Sequence, residues 1–415
     1  MIGSLFAGIT GLNANATAMT VIGDNIANVN TTAFKSNRSS FANILSQSLQ
    51  GSAGNDIGRG VQFWGTNPLW SQGSLETTNN TTDLAVNGKG FFIVNDANGA
   101  SYYTRAGEFN FDKEGDLINP DGLVAQGYQV TSVDTDGTLH LGSIQNVNVP
   151  GESTSPPSAT ETFTIDLNLD AGAAQSDTYS TSVSCYDSLG NPIDVTLTFT
   201  KTAVVRQWSA AASIPASVGS GATIGGGATM LMTFDENGEL TTPNADTTVA
   251  LTLTNGADSP QNLTWDIYTD GGANRGDITG YSDDSSVSFQ TQDGYPSGML
   301  RSIAIDSEGV ITGSYSNGEL VPLYQIALAD FPSYNGLTKM GNNLYAESLA
   351  SGQVMPGTAA SGRLGNVSSS ALEMSNVDLA SEFVKMITTQ RAFQANSRVI
   401  TTSDEILAEL INIKR

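Results

Sequence analysis

Few residues in this chain could do chemistry, and their types and spacing argue against catalysis. His140 is the only histidine and Cys185 the only cysteine. Zinc sites and His-activated nucleophiles need imidazole gathered with other ligands or with a nucleophile, and one histidine cannot form a cluster. Cys185 excludes an intrachain disulfide and sits in the alternating run 181–186, a strand pattern. Asp134-Thr135-Asp136-Gly137 spells part of a calcium loop but lacks its spaced ligands and closing Glu, so it reads as a β-turn. Asn87-Gly88-Lys89-Gly90 lies between two strand-like runs instead of ahead of a helix, where a phosphate loop belongs. The remaining carboxylates are scattered through Asp-Gly turns, with no pair poised for general acid and base work. The expectation is no enzyme, no catalytic residue, no metal and no cofactor.

Composition narrows the partners. The chain of 415 residues carries 41 Asp and Glu against 17 Lys and Arg, a net charge of −24, yet only 14% of its residues are charged. Ser, Thr, Asn, Gln and Gly must therefore cover much of the surface. The sign of the charge argues against nucleic acid and against anionic membranes, both of which call for basic patches. The start of the chain has no basic n-region and no cleavage motif, and no run of 18 apolar residues appears, so neither a cleaved secretory signal nor membrane insertion is expected.

The elements that could organise such a chain are at its ends. Leu5, Leu12, Met19 and Ile26 stand seven apart near the N-terminus. Leu372, Leu379, Met386, Phe393, Ile400 and Leu407 repeat that spacing near the C-terminus. A seven-residue period draws a narrow apolar seam along a helix, the coiled-coil signature. The companion lines are weaker: Ile2, Ile9, Ala16 and Gly23 in the first, and Asn376, Phe383, Gln390, Ser397, Asp404 and Ile411 in the second. The seam predicts an antiparallel pair of terminal helices, about 35 and 50 Å long, that needs further partners for stability. Ser375 as cap with Asp378 at the third helical position, and Met374 against Leu379, mark the start of the second helix; Lys414 and Arg415 suit its negative end.

Between the ends the hydrophobic period is two. Residues 84–94 and 101–130 read as short antiparallel strands joined by Asn-Gly and Asp-Gly turns, and 299–331 returns to the same pattern. FDKEGDL (111–117), FDENGEL (234–240) and IDSEGVI (305–311) repeat one turn formula. Phe41, Ile44, Leu45 and Leu49 predict a short helix, 51–60 a loop, and 209–227 a long loop. The fold class expected is multidomain α+β: paired coiled-coil-like terminal helices carrying mainly antiparallel β-sandwich or barrel domains. The domains expected are 1–35 plus 366–415 as a terminal-helix core and 36–71 plus 349–365 as linkers. A β domain of 72–145 plus 286–348 and an inserted outer β domain of 146–285 complete the set.

Four ordered blocks carry a resemblance: ANVNTTAFK (27–35), QGSLETTNNTTDLAVNGKGFFIV (72–94), YTRAGEFNFDKEGDLINPDGLVAQG (103–127) and the closing block 371–407. They are similar to the bacterial flagellar axial family of rod, hook and hook-associated proteins, departing from it at Thr81-Thr82, where relatives more often have Pro-Leu. The resemblance implies a helical homopolymer whose terminal helices line an export channel and whose β domains face outward. It implies export without a cleaved signal through the flagellar type III export apparatus. The length and the insertion of ~140 residues at 146–285 resemble the hook members, giving a curved flexible tube that transmits motor torque to the filament, a universal joint in bacterial motility. A distal rod or hook–filament junction protein is the alternative, and a secreted β-rich adhesin a distant one. The implied partners are further copies of the chain, the distal rod protein, the hook cap protein and the hook–filament junction protein. Leu5, Leu12, Met19, Ile26, Leu379, Phe383, Met386, Phe393, Ile400 and Leu407 are expected to form the assembly seam. Asn25, Asn28, Asn30, Thr31 and Phe34, with Gln390, Arg391 and Asn396, match the family signature.

Overall fold

The computed structural model describes residues 2–44, 47–48, 56–57, 59–134, 136–269, 273–274 and 277–413. Lys414 and Arg415, and with them the expected charge at the end of the last helix, lie outside the described residues. Two compact units divide the chain: residues 1–151, 303–313 and 322–415 form one, and residues 152–302 and 314–321 the other.

The first unit contains both helices. Helix α1 spans Ile2–Ala27 and helix α2 spans Leu379–Ile413. Where α1 ends, the Asn28 side-chain amide donates to the Asp24 carbonyl at 2.9 Å, and the Asn28 carbonyl then accepts the Thr31 amide at 3.2 Å. Short polar side chains that bond to their own backbone end a helix in this way. The start of α2 differs from expectation. Asp378 is itself the cap, its Oδ1 accepting the Ala380 and Ser381 amides at 2.9 and 3.3 Å, while Ser375 accepts only the Val377 amide. A carboxylate there also faces the positive end of the helix dipole. Leu372, counted with the seam, lies in the strand Ala371–Glu373. The two helices run antiparallel: Ser4 meets Ser403, Gly8 meets Ile400, Gly11 meets Asn396 and Asn25 meets Glu382.

Of the short helix expected at Phe41, Ile44, Leu45 and Leu49, Leu45 and Leu49 lie outside the described residues, and Phe41 lies instead in a strand, Asn37–Asn43, paired antiparallel with Val61–Pro68. Its Ser and Asn residues favour helix poorly, and pairing lets Phe41 stand opposite Phe63 with ring centres 5.9 Å apart. The rest of this unit is antiparallel sheet around a core that includes Leu84, Phe92, Phe109, Leu117, Ile326 and Leu328.

The repeated turn formula has one physical form. In each case a side-chain oxygen accepts the amides two and four residues on: Asp96, Asp112, Asn119 and Asp306 here, and Asp187 and Asp235 in the second unit. The glycine at the fourth position has φ between 74° and 89°, which L side chains rarely adopt.

Two larger open sheets build most of the second unit. One runs Thr178–Tyr186, Pro192–Lys201, Gln207–Ser213, Met230–Phe234, Leu240–Thr242. The other runs Gly219–Ile224, Thr247–Leu253, Gln261–Trp265, Thr162–Asn168, Ile278–Thr279, with Ser286–Gln292 also paired to Thr162–Asn168. Their inner faces share one core containing Trp208, Trp265, Phe163 and Phe199. Two expectations are corrected here. The sheets stay open, so sandwich or barrel overstates the architecture. The pairings are mainly antiparallel, as expected, with Thr162–Asn168 also pairing in parallel with Gln261–Trp265 and Ile278–Thr279. The long loop expected at 209–227 is two strands, because buried Trp208, Ala210 and Ala212 alternate with outward residues.

Candidate assembly site at the joined chain ends

Small residues decide how α1 packs. Its buried line is Gly8, Gly11, Ala14, Ala18, Ile22 and Asn25, each three or four residues from the next. A Cβ on Gly11 would come 2.8 Å from Asn396 Nδ2, and one on Gly8 would come 3.1 Å from Ile400 Cγ1. Glycine and alanine therefore let the two backbones approach. Leu5, Leu12, Met19 and Ile26 lie to one side of that line and are half-buried. On α2, Met386, Phe393, Ile400 and Leu407 are half-buried along a line that also holds buried Glu382 and Ser403. Leu379 and Phe383 are exposed, at 40% and 50%. Val384 and Ile387 beside them are exposed too, as are Val399 and Ile406 farther along α2 and Phe6 and Ile9 on α1.

The signature residues are divided between contact and solvent. Asn25 is buried; its amide donates to the Asn37 carbonyl at 2.9 Å and to Glu382 Oε2 at 3.2 Å, and its Oδ1 accepts the Asn37 amide at 2.8 Å. Thr31 donates to Asn28 Oδ1 at 3.1 Å, and half-buried Phe34 offers its carbonyl to the Asn376 amide. Asn396 packs against Gly11, whereas Asn30, Gln390 and Arg391 are exposed.

The residues that tie the ends together most strongly were not among those expected. The Glu373 carboxylate, fully buried, accepts from Lys35 Nζ at 2.5 Å, from the Gly73 amide at 2.9 Å and from Arg105 at 3.2 Å. Burial pulls the Lys35 ammonium below its ordinary pKa, and the Glu373 charge opposes that pull. Arg105 also donates to the carbonyls of Val86 and Gly88 and stands 5.4 Å over the Phe91 ring. Trp70 packs against Phe91, Tyr334 and Tyr345 at centroid distances of 5.1 to 5.7 Å, anchoring the segment that leads to Gly73. The sequence held one clue: Lys35 and Glu373 follow Ala33-Phe34 and Ala371-Leu372, apolar settings unusual for charges.

Among the described residues, no group of three or more His, Cys, Asp or Glu could hold a metal ion. His140 does meet Asp134 at 2.8 Å, a pairing the sequence did not suggest, but both side chains are more than half exposed at a turn. Cys185 is buried in the second unit's core, where loss of solvation pushes its thiol up to about 12. By length and composition Gly3–Ala27 could cross a membrane, which the sequence reading did not anticipate; a helix packed against others passes the same test.

Known proteins resemble the chain along its whole length. Residues 5–35 match the flagella basal body rod protein family, and 85–167 the flagellar hook protein FlgE/F/G D1 domain. Residues 157–295 match the flagellar basal body protein FlaE D2 domain, and 368–413 the flagellar basal body rod FlgEFG protein C-terminal region. The flagellar hook protein FlgE of Borreliella burgdorferi is 34% identical over 456 residues, covering 100% of both chains. That of Escherichia coli is 33% identical over 422 residues, covering 98% of each. A crystal structure of Helicobacter pylori flagellar hook protein FlgE2 shares the fold, with a TM-score of 0.51 at 16% identity over 72% of this chain and 100% of that one. With curated relatives matched end to end at this identity, the chain belongs to the flagellar hook protein family.

Proposed function

We propose that this protein is the repeating subunit of the flagellar hook, a structural protein and not an enzyme. It polymerises into a curved, flexible tube that transmits motor torque to the filament and encloses the export channel. The observation that carries the reading is the apolar surface on the joined helices. Phe383 and Ile387 stand one helical turn apart, Val399 and Ile406 two turns apart, and a single chain leaves them to water. Stacked copies would cover them. Leu5, Leu12, Met19, Ile26, Met386, Phe393, Ile400 and Leu407, half-buried in one chain, would finish their burial in the polymer.

A rotating curved tube requires neighbouring copies to shift past one another each turn. In the second unit's five-stranded sheet, Thr196, Thr198 and Thr200 face outward beside Ser180, Ser182 and Ser184, while Val195, Leu197 and Phe199 face the core. Hydroxyl surfaces exchange bonds with water and with each other at small net cost, so such contacts slide where apolar ones would lock. On this reading 146–285 supplies lateral contacts between copies. Residues 1–35 plus 366–415 form the tube's core, and 72–145 plus 286–348 and the linkers 36–71 and 349–365 join the two. Its location is the extracellular flagellar hook, reached through the type III export apparatus, with rod, cap and junction proteins as neighbours.

Immunogold labelling of isolated flagella with antibody against residues 152–302 tests this. Label along the short curved segment between basal body and filament is the expected result. Label on the straight rod or only at the filament junction would overturn the hook assignment.

A further inference from the structure

Glu373 joins pieces of chain that are far apart in sequence. Lys35 follows the turn that ends α1, Gly73 belongs to the segment leading into the sheet, and Arg105 follows the strand Ser101–Thr104. Lys35 and Arg105 lie 338 and 268 residues from Glu373. Without the Glu373 carboxylate, two like charges would share a buried site, and Lys35 would retain only the Ser71 carbonyl at 2.9 Å. Unpaired buried charge is among the costliest arrangements a fold can contain.

Neutral contacts repeat this dependence. The Ala33 amide donates to the Glu373 carbonyl at 2.7 Å, and the Met374 amide to the Ser74 carbonyl at 2.8 Å. Asn376 Oδ1 accepts the Ser36 amide at 2.7 Å, while its Nδ2 donates to the carbonyls of Leu69 and Ser71 at 2.8 and 3.0 Å. Residues 33–36 and 69–74 thus take part of their hydrogen bonding from 373–376, beside the Leu69 amide's bond to the Ser36 carbonyl and the Trp70 indole's bond to Asn335.

We propose that Glu373 is a completion latch. Residues 33–36 at the exit of α1, and 71–74 beyond the Trp70 anchor, take their positions only when the strand Ala371–Glu373 docks. The paired-helix surface is then presented only by a chain whose C-terminal part is present and folded. Copies cut short before this strand would be kept from joining an assembly. That consequence rests on the polymer reading; the latch itself is a property of the single chain.

Hydrogen exchange by mass spectrometry on the full-length soluble protein tests it, comparing parent, Glu373→Gln, Asn376→Ala and Lys35→Met. Expected for Glu373→Gln is faster exchange, by about ten-fold or more, arising together in 31–37, 69–74 and 371–377, with 193–212 unchanged. Asn376→Ala, which removes no charge, should raise exchange in the same three segments. Lys35→Met leaves one carboxylate facing one guanidinium and should do less than Glu373→Gln. Faster exchange confined to 371–377 would overturn the latch, as would equal damage from Lys35→Met. So would a parent chain in which 31–37 and 69–74 are already unprotected. If Glu373→Gln proves unfolded throughout, judged by lost protection of 193–212 in the second unit, Asn376→Ala decides by the same criteria. Failure of the parent to form tubes would count against the proposed function and leave the exchange result standing.

Discussion

The amide of Asn25 on α1 donates to the Glu382 carboxylate on α2 at 3.2 Å, and both side chains are buried. Asn25 also exchanges two hydrogen bonds with the backbone of Asn37, so one side chain fixes the helix pair and the strand that follows α1. Asn25→Ala would strand a backbone amide, a carbonyl and part of a carboxylate. The expected loss is about 2 kcal/mol, read as a lower midpoint in thermal melting of the helical circular dichroism signal. Asn25→Asp should lose more, because it sets a second carboxylate beside Glu382.

Close approach of the helices makes Gly11 intolerant of size. Gly11→Leu is expected to separate α1 from α2, since even a Cβ would meet Asn396 Nδ2 at 2.8 Å. The amide of Asn396 is the far end of a flexible side chain, so Gly11→Ala should be milder. Melting of the two variants checks this, and equal tolerance of Ala and Leu would contradict the packing.

Acid should weaken the turns. Backbone amides, of Ala100 for Asp96 and of Glu239 for Asp235, hold these carboxyls below the ordinary value of 3.8. For Asp187 burial works in the opposite direction, and bonds from Asn191, Asn255 and Leu189 outweigh it. A folded-state value below the unfolded one adds stability that is complete above the unfolded value and lost as pH falls through the lowered one. Tryptophan fluorescence is therefore expected to hold steady above about pH 4 and to change below it. Asp187→Asn should reduce stability at pH 7 and flatten the acid transition.

What was legible in the sequence was local. The Asp-x-x-Gly turns could be read because donor and acceptor lie within four residues, and the heptads because Leu, Met, Phe and Ile mark their own period. The buried line Gly8, Gly11, Ala14, Ala18 has almost no hydropathy signal, so the larger neighbours seven apart drew attention in its place. Ala210 and Ala212 concealed a strand for the same reason: a small buried residue does not look different from a loop residue. The Lys35–Glu373–Arg105 cluster was out of reach because its partners are brought together only by the complete fold.

The central claim is that the apolar surface of α2 joins one copy to the next. Its most direct test is assembly of purified protein, followed by sedimentation and electron microscopy, with Phe383, Val384 and Ile387 replaced together by Ser. The expected result is no tubes from the variant, while the parent assembles and hydrogen-exchange protection of 193–212 in the second unit is the same in both. Tubes of normal diameter and yield from the variant would contradict the claim.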